Sequence, residues 1–272
     1  MAFLTEPEPQ HLVATEIVPG IRRMVAPNPG PMTYRGTNTW LIDGADGLTV
    51  IDPGPDDPSH LAAIAAAGPV ARIVLTHTHP DHLAGAPALS RRTGAAILGF
   101  AVPWAAGFLP DVALQEGSAA GPLTALHTPG HASDHLCFAL GDTGVLFTGD
   151  HVMSWSTSVV SPPDGDMGAY MAGLRRLLAR TDTLYLGGHG PPLPKPASLV
   201  RAMLSHRAGR EASIVAALAR APATIDELVA AMYAGLARNL VPVARRTVMA
   251  HLEKLEREFR VRRTADNTFE PA

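Results

Sequence analysis

The feature that most restricts this chain is the run His77-Thr78-His79-Pro80-Asp81-His82, which follows an apolar, β-branched stretch at residues 70–75. That stretch predicts a strand. Alternate residues of an extended segment point the same way, so His77 and His79 can reach one ion together. Pro80 suits the first turn of a helix, which carries Asp81 and His82 towards a neighbouring site. Imidazoles and a carboxylate without thiolates suit Zn²⁺ or another borderline divalent ion.

Three further candidates stand just past other apolar stretches: His131 after Thr128-Pro129-Gly130, Asp150 after Thr148-Gly149, and His189 after Gly187-Gly188. Adjacent glycines let the backbone turn sharply and approach closely. Five histidines and two carboxylates suffice for two ions, a bridging group and an open water position. Two such cations bring the pKa of a shared water from about 15.7 towards neutrality and polarise a carbonyl or phosphoryl oxygen.

Short strands are predicted at 38–42, 48–51, 70–75, 95–98, 123–126, 135–140, 145–148 and 183–186. Helices are predicted from Ser59 or a neighbouring Asp to Ala67, from Pro80 to Gly94, and over 169–180. The alternation is that of a layered α/β protein. After the proline-rich stretch at 191–196 the pattern becomes helical: 198–219, a short helix to Tyr233, and 243–259. In the last, Val248, Leu252, Leu255 and Phe259 share one face. A small hairpin at 260–263 and 267–270 completes the outline of a winged helix. The division falls between 1–195 and 196–272. Charge divides there too, with ten Lys and Arg against 17 Asp and Glu before it, and 12 against eight after it.

With 46% apolar and 17% charged residues, the composition excludes a disordered chain. No secretory pattern is visible at the start and no apolar run is long enough for a membrane span. The expected location is cytoplasmic. Cys137, the only cysteine, reads as a buried strand residue.

The ordered motifs at 76–82, 128–131, 148–150 and 188–190 resemble those of the metallo-β-lactamase superfamily. The resemblance implies a four-layer αββα sandwich with the site along one edge of two sheets. It implies His77, His79 and His131 on one metal, Asp81, His82 and His189 on the second, and Asp150 bridging. Asp52, in Ile51-Asp52-Pro53-Gly54, resembles a supporting acidic position of that fold. Asp81 is also the candidate to orient the nucleophile and shuttle its proton. His135, His151, Ser154, Thr157 and Ser158 lie near the cage in sequence and are candidates for supporting it or touching substrate.

The stretches 34–41, 205–211 and 247–255 resemble the β-lactamase-like protein 2 group, over nearly the whole chain. Asp150 and the absent export pattern point away from an antibiotic-degrading enzyme. The expected activity is hydrolysis of a small ester, thioester, lactam or related molecule. The alternative is a metal-dependent endoribonuclease on single-stranded RNA, with Arg245, Arg246, Lys254, Arg257, Arg260, Arg262 and Arg263 available for phosphates. A homodimer is compatible with either.

Overall fold

Two sheets carry most of the apolar residues. In the computed structural model, which describes residues 2–272, the first sheet has seven strands in chain order. These are β1 (Thr15–Val18), β2 (Ile21–Val25), β3 (Asn38–Ile42), β4 (Leu48–Ile51), β5 (Val70–Val74), β6 (Ala96–Phe100) and β7 (Val112–Leu114). The second comprises β8 (Ala119–Ala120), β9 (Leu123–His127), β10 (Leu136–Leu140), β11 (Val145–Gly149), β12 (Leu184–Gly187) and β13 (Leu193–Pro194), paired in reverse chain order.

The helices are α1 (Pro58–Ala66), α2 (Pro80–Leu83), α3 (Ala86–Thr93), α4 (Met167–Leu178), α5 (Ala197–Leu218), α6 (Ile225–Met232) and α7 (Val241–Arg257). A hairpin of β14 (Val261–Arg263) and β15 (Phe269–Pro271) ends the chain. No helix among the described residues is long and apolar enough to cross a membrane.

The period-two alternation of strand side chains builds the layers. On β3, Trp40 and Ile42 face Phe138, Phe147 and Leu186 between the sheets. Leu41 turns the other way, to Leu61 and Ile64 of α1 and Leu89 of α3. On β10, Leu136 and Phe138 face inwards, whereas Cys137 and Ala139 pack with Tyr170 and Leu174 of α4 and Met203 of α5. The order is helix, sheet, sheet, helix. Trp40, 1% exposed, sits where truncation to Ala costs about 3–5 kcal/mol.

The C-terminal helices and hairpin have their own apolar cluster, including Leu228, Val248, Leu252, Val261 and Phe269. Helix α5 belongs to two clusters. Leu199, Val200 and Met203 pack with α4, and Ile214 and Leu218 pack with α6 and α7.

Two sequence expectations need correction. The helix expected from Pro80 to Gly94 is two helices, because Pro87 has no N–H to give to the carbonyl four residues earlier. Gly85 at the break donates to Gly54 O instead, at 2.9 Å. Phe259 does not share the buried face of α7: it is 86% exposed. The helix ends at Arg257, Phe259 takes a left-handed φ of 57°, and Arg260 N–H closes the end on Leu255 O at 2.9 Å. That capping turn takes Phe259 out of the helical register, while Val261 and Phe269 fill the core.

Strand direction positions the site. Strands β4 and β5 are parallel, as are β11 and β12, and β9 runs parallel to β11 through the antiparallel β10. Their C-terminal ends therefore meet along one edge. Backbone bonds join the sheets there: Leu136 N–H to Thr76 O at 2.6 Å and Asn38 N–H to Gly188 O at 2.7 Å.

Candidate metal centre

All seven expected ligands converge at that edge. His77, His79 and His131 each offer a nitrogen within 4.8 Å of the others, and so do the ligand atoms of Asp81, His82 and His189. Asp150 lies between the groups: Oδ1 is 3.6 Å from His82 Nε2 and 3.5 Å from His189 Nε2, and Oδ2 is 3.6 Å from His131 Nε2. Close backbone approach makes this possible. A Cβ on Gly188 would stand 2.5 Å from Asp150 Oδ1 and 2.7 Å from His82 Cε1.

Each imidazole is held by its outer nitrogen. His131 Nδ1 meets Val159 O at 2.6 Å, His189 Nδ1 meets Gly36 O at 3.3 Å, and His79 Nε2 meets Asp164 Oδ2 at 3.2 Å. His82 Nδ1 meets Asp52 Oδ2 at 2.8 Å, and His77 Nδ1 meets the Thr76 hydroxyl at 3.0 Å. That hydroxyl donates to Asp52 Oδ2 at 2.6 Å, so its oxygen is left to accept from His77. Acceptors at the outer positions place the ring proton there and leave the inner lone pair bare.

The inner atoms cannot satisfy one another. His79 Nδ1 lies 3.1 Å from His77 Nε2 and 3.0 Å from His131 Nε2, three lone pairs facing each other. His82 Nε2 and Asp150 Oδ1 are buried without any hydrogen-bond partner, and His189 Nε2 lies 3.2 Å from Asp81 Oδ2 without the geometry of a hydrogen bond. Buried polar atoms in native proteins are nearly always paired. This donor set fits divalent cations, which bind bare imidazole nitrogens and carboxylate oxygens.

Electrostatics divide the site. Burial, with neighbouring histidines, holds His77 well below its usual pKa, and burial also lowers His131. Burial opposes charge on His82 as well, yet Asp81, Asp52 and Asp150 lift it to about 9. Asp150 and Asp81 likewise outweigh burial and lift His189 to about 10. The acidic half attracts positive charge, and the histidine half offers lone pairs.

Asp52 and His135 buttress the cage. Asp52 adopts a left-handed φ of 50°, which is strained for a non-glycine residue. Thr76 N–H donates to its Oδ1 at 2.8 Å and fixes it beneath His82. His135 Nε2 accepts from Asp150 N–H at 3.1 Å, and its Nδ1 faces the Thr128 hydroxyl at 3.0 Å. The other candidates make no hydrogen bond to a cage side chain. His151 packs on the Tyr170 ring at 4.9 Å, with neither nitrogen partnered, and burial lowers its pKa to about 3. The Ser154 hydroxyl donates to Pro191 O at 2.6 Å, and that of Ser158 to His151 O at 3.0 Å. Thr157 lines cavities beside the cage. Cys137 is buried and free, its thiol pushed by burial up to about 12.

A cavity of about 490 Å³ opens on His79, Asp81, His131 and Asp150, walled by Met32, Trp104, Asp164 and Arg246. Sequence reasoning missed Asp164, Trp104 and Met32. Asp164 lies in the polar loop after Asp150, but its pairing with a histidine 85 positions away leaves no periodic signal.

Fold and ligand constellation define a hydrolase of the metallo-β-lactamase type. The Metallo-beta-lactamase superfamily model matches residues 32–122 and 119–189, and the Beta-lactamase associated winged helix domain matches 224–269. The chain belongs to the metallo-β-lactamase superfamily and carries that winged helix domain. It is 29% identical to the Beta-lactamase-like protein 2 homolog of Drosophila melanogaster, over 94% of each chain. It is 28% identical to an Atrochrysone carboxyl ACP thioesterase of Claviceps purpurea, over 80% of this chain and 73% of that one. Among solved structures it resembles a Beta-lactamase domain protein from Burkholderia ambifaria, with a TM-score of 0.83 and 23% identity over 97% of this chain and 95% of that one.

Proposed function

We propose that the chain is a dinuclear, zinc-dependent hydrolase of a small thioester or ester. The observation that carries this is the pair of three-residue groups flanking Asp150, whose inner atoms His82 Nε2, His189 Nε2 and Asp150 Oδ1 find no hydrogen-bond partner in the protein. His77, His79 and His131 would hold one ion, Asp81, His82 and His189 the other, with Asp150 between them. Bound there, the ions supply Lewis acidity and lower the pKa of water.

The chain's own residues do the rest. Asp52 and Thr76 fix two imidazole rings, and His135 fixes the Asp150 backbone. Asp81, partly exposed and lining the cavity, orients the attacking water through its carboxylate. It takes up the proton as the new C–O bond forms and returns it to the departing sulfur or oxygen. Trp104 and Met32 flank the acyl group. The thioesterase name of one relative supports the choice of substrate class.

The division between 1–195 and 196–272 is supported by the separate apolar cluster of the tail. The ribonuclease reading is not favoured. Of the seven basic side chains considered for phosphates, all but Arg246 have a carboxylate oxygen within 4.0 Å.

The test is metal analysis followed by a panel of ester, thioester, lactam, phosphodiester and RNA substrates. Two equivalents of zinc and thioester turnover lost in His77→Ala are expected; turnover that survives that change rejects the reading. Asp81→Asn retaining full turnover with both metals bound would remove the proton-carrying role.

A further inference from the structure

A second cavity, of about 330 Å³, lies between the loop after Asp150 and the C-terminal helices. Helix α5 contributes Arg207, Arg210 and His206 to its wall, and no Asp or Glu lines it. Arg207 is 3% exposed. Among the described residues, no carboxylate oxygen lies within 4.0 Å of either arginine, by contrast with the adjacent Glu211, which meets Lys254 Nζ at 3.0 Å.

Arg207 makes one hydrogen bond, from Nη2 to Ser158 O at 2.5 Å, while its buried Nε has no partner. Its guanidinium is backed by the Tyr170 ring, 5.5 Å away. Arg210 donates to Met232 O at 3.1 Å and stands 4.3 Å over the Tyr233 ring. Burial, together with Arg207 and Arg210, lowers His206 to about 4 and so keeps it uncharged at neutral pH. A buried guanidinium without a counter-charge carries a large desolvation cost. The buried guanidinium of Arg207 and the half-buried one of Arg210 share one cavity wall with nothing acidic opposite, an arrangement suited to an oxyanion.

Met32 and Val159 line both this cavity and the one that opens on the cage. The two spaces therefore adjoin across two side chains. Consecutive carbonyls link them as well: Val159 O holds the ring of His131, and Ser158 O holds Arg207.

Resting on the hydrolase reading above, we infer that this cavity binds a terminal oxyanion, carboxylate or phosphate, at the far end of a substrate arm whose scissile carbonyl lies at the cage. Arg207 and Arg210 are specificity-determining residues, and the loop at 156–159 forms the saddle over which the arm lies.

Two measurements on the full-length metal-loaded protein test this. The first is calorimetric titration with inorganic phosphate and with succinate. Arg210→Gln is expected to weaken binding at least about tenfold, the value of a hydrogen bond to a charged group. Arg207→Gln should weaken it further, with partial recovery in Arg207→Lys. The control Arg245→Gln, at a residue paired with Asp226, should bind like wild type. Equal affinity in Arg210→Gln and wild type overturns the proposal, since the anion then sits at the cage.

The second measurement compares kcat/KM for acetyl thioesters whose thiol arm ends in a neutral amide, a carboxylate or a phosphate. Wild type should prefer one or both anionic arms, and which one identifies the source. That ratio should collapse towards one in Arg210→Gln through KM. A ratio unchanged in Arg210→Gln overturns the proposal. If no thioester is cleaved by wild type, the substrate reading fails, while the titration still decides the subsite.

Discussion

The cage and the junction of α5 with α7 are both buried clusters of charged groups, and they are built in opposite ways. At the junction, Glu211 meets Lys254 Nζ at 3.0 Å and His251 Nδ1 at 3.4 Å, and Lys254 also reaches Glu258 at 2.9 Å. Charge is matched within the protein. At the cage, the outer atoms of the ligand-type rings are matched, whereas His82 Nε2, His189 Nε2 and Asp150 Oδ1 inside it have no hydrogen-bond partner. A cluster whose carboxylate meets its own cation joins two helices. One that satisfies only its periphery waits for something from outside.

The comparison breaks most decisively at the cage. Chelation, or His77→Ala, should lower turnover by at least about a thousandfold, because Lewis acidity at the reacting oxygen is worth several kcal/mol. Metal content by elemental analysis should fall with it. A fully active, metal-depleted protein would end the distinction between the clusters.

At the junction the corresponding change should spare metal content and strike folding. Glu211→Ala leaves Lys254 with only the exposed Glu258 and His251 Nδ1 with no acceptor, and should cost about 1–3 kcal/mol in denaturant unfolding. An Ala variant as stable as wild type would show that the match contributes nothing. Between these lies Asp52→Asn, which retains shape but weakens the hold on His82. Metal affinity or activity should drop about 10–100-fold, read by competition with a chelating dye.

Acid should separate the clusters further. Burial alone would raise the Glu211 pKa, but the bonds from His251 and Lys254 outweigh it and hold the group below its usual 4.5. A depressed folded-state pKa means that the unfolded chain binds the proton more readily. The contribution is therefore complete above about pH 4.5 and fades as pH falls through the lowered value. Glu211→Gln should flatten that part of the stability profile; an unchanged slope would assign the acid loss elsewhere. The smallest effect is expected at Phe259, outside both clusters: Phe259→Ser should change stability by no more than about 0.5 kcal/mol.

The seven clustered residues were legible in sequence because they follow strand ends in a recognisable order, with His131, Asp150 and His189 each beside a glycine. Strands β3 and β10 were legible as short apolar runs, but which side chains face which layer was not, because both faces are buried. Short or edge strands such as β7, β8 and β13 were not, since two or three residues carry no period. Phe259 misled because helical spacing continues on paper past the residue where a left-handed turn stops it. Arg207 stood within a recognised stretch, but its lack of a counter-charge depends on which helices pack around it.

Helix α5 has one more consequence. Its first half is keyed into one core and its second half into another, so the number of residues between them sets the phase of the two units, as a shaft sets two gears. One added residue near Ala208 would turn everything beyond it by about 100° and advance it about 1.5 Å, swinging Arg210 off its cavity while leaving every residue of the cage where it was.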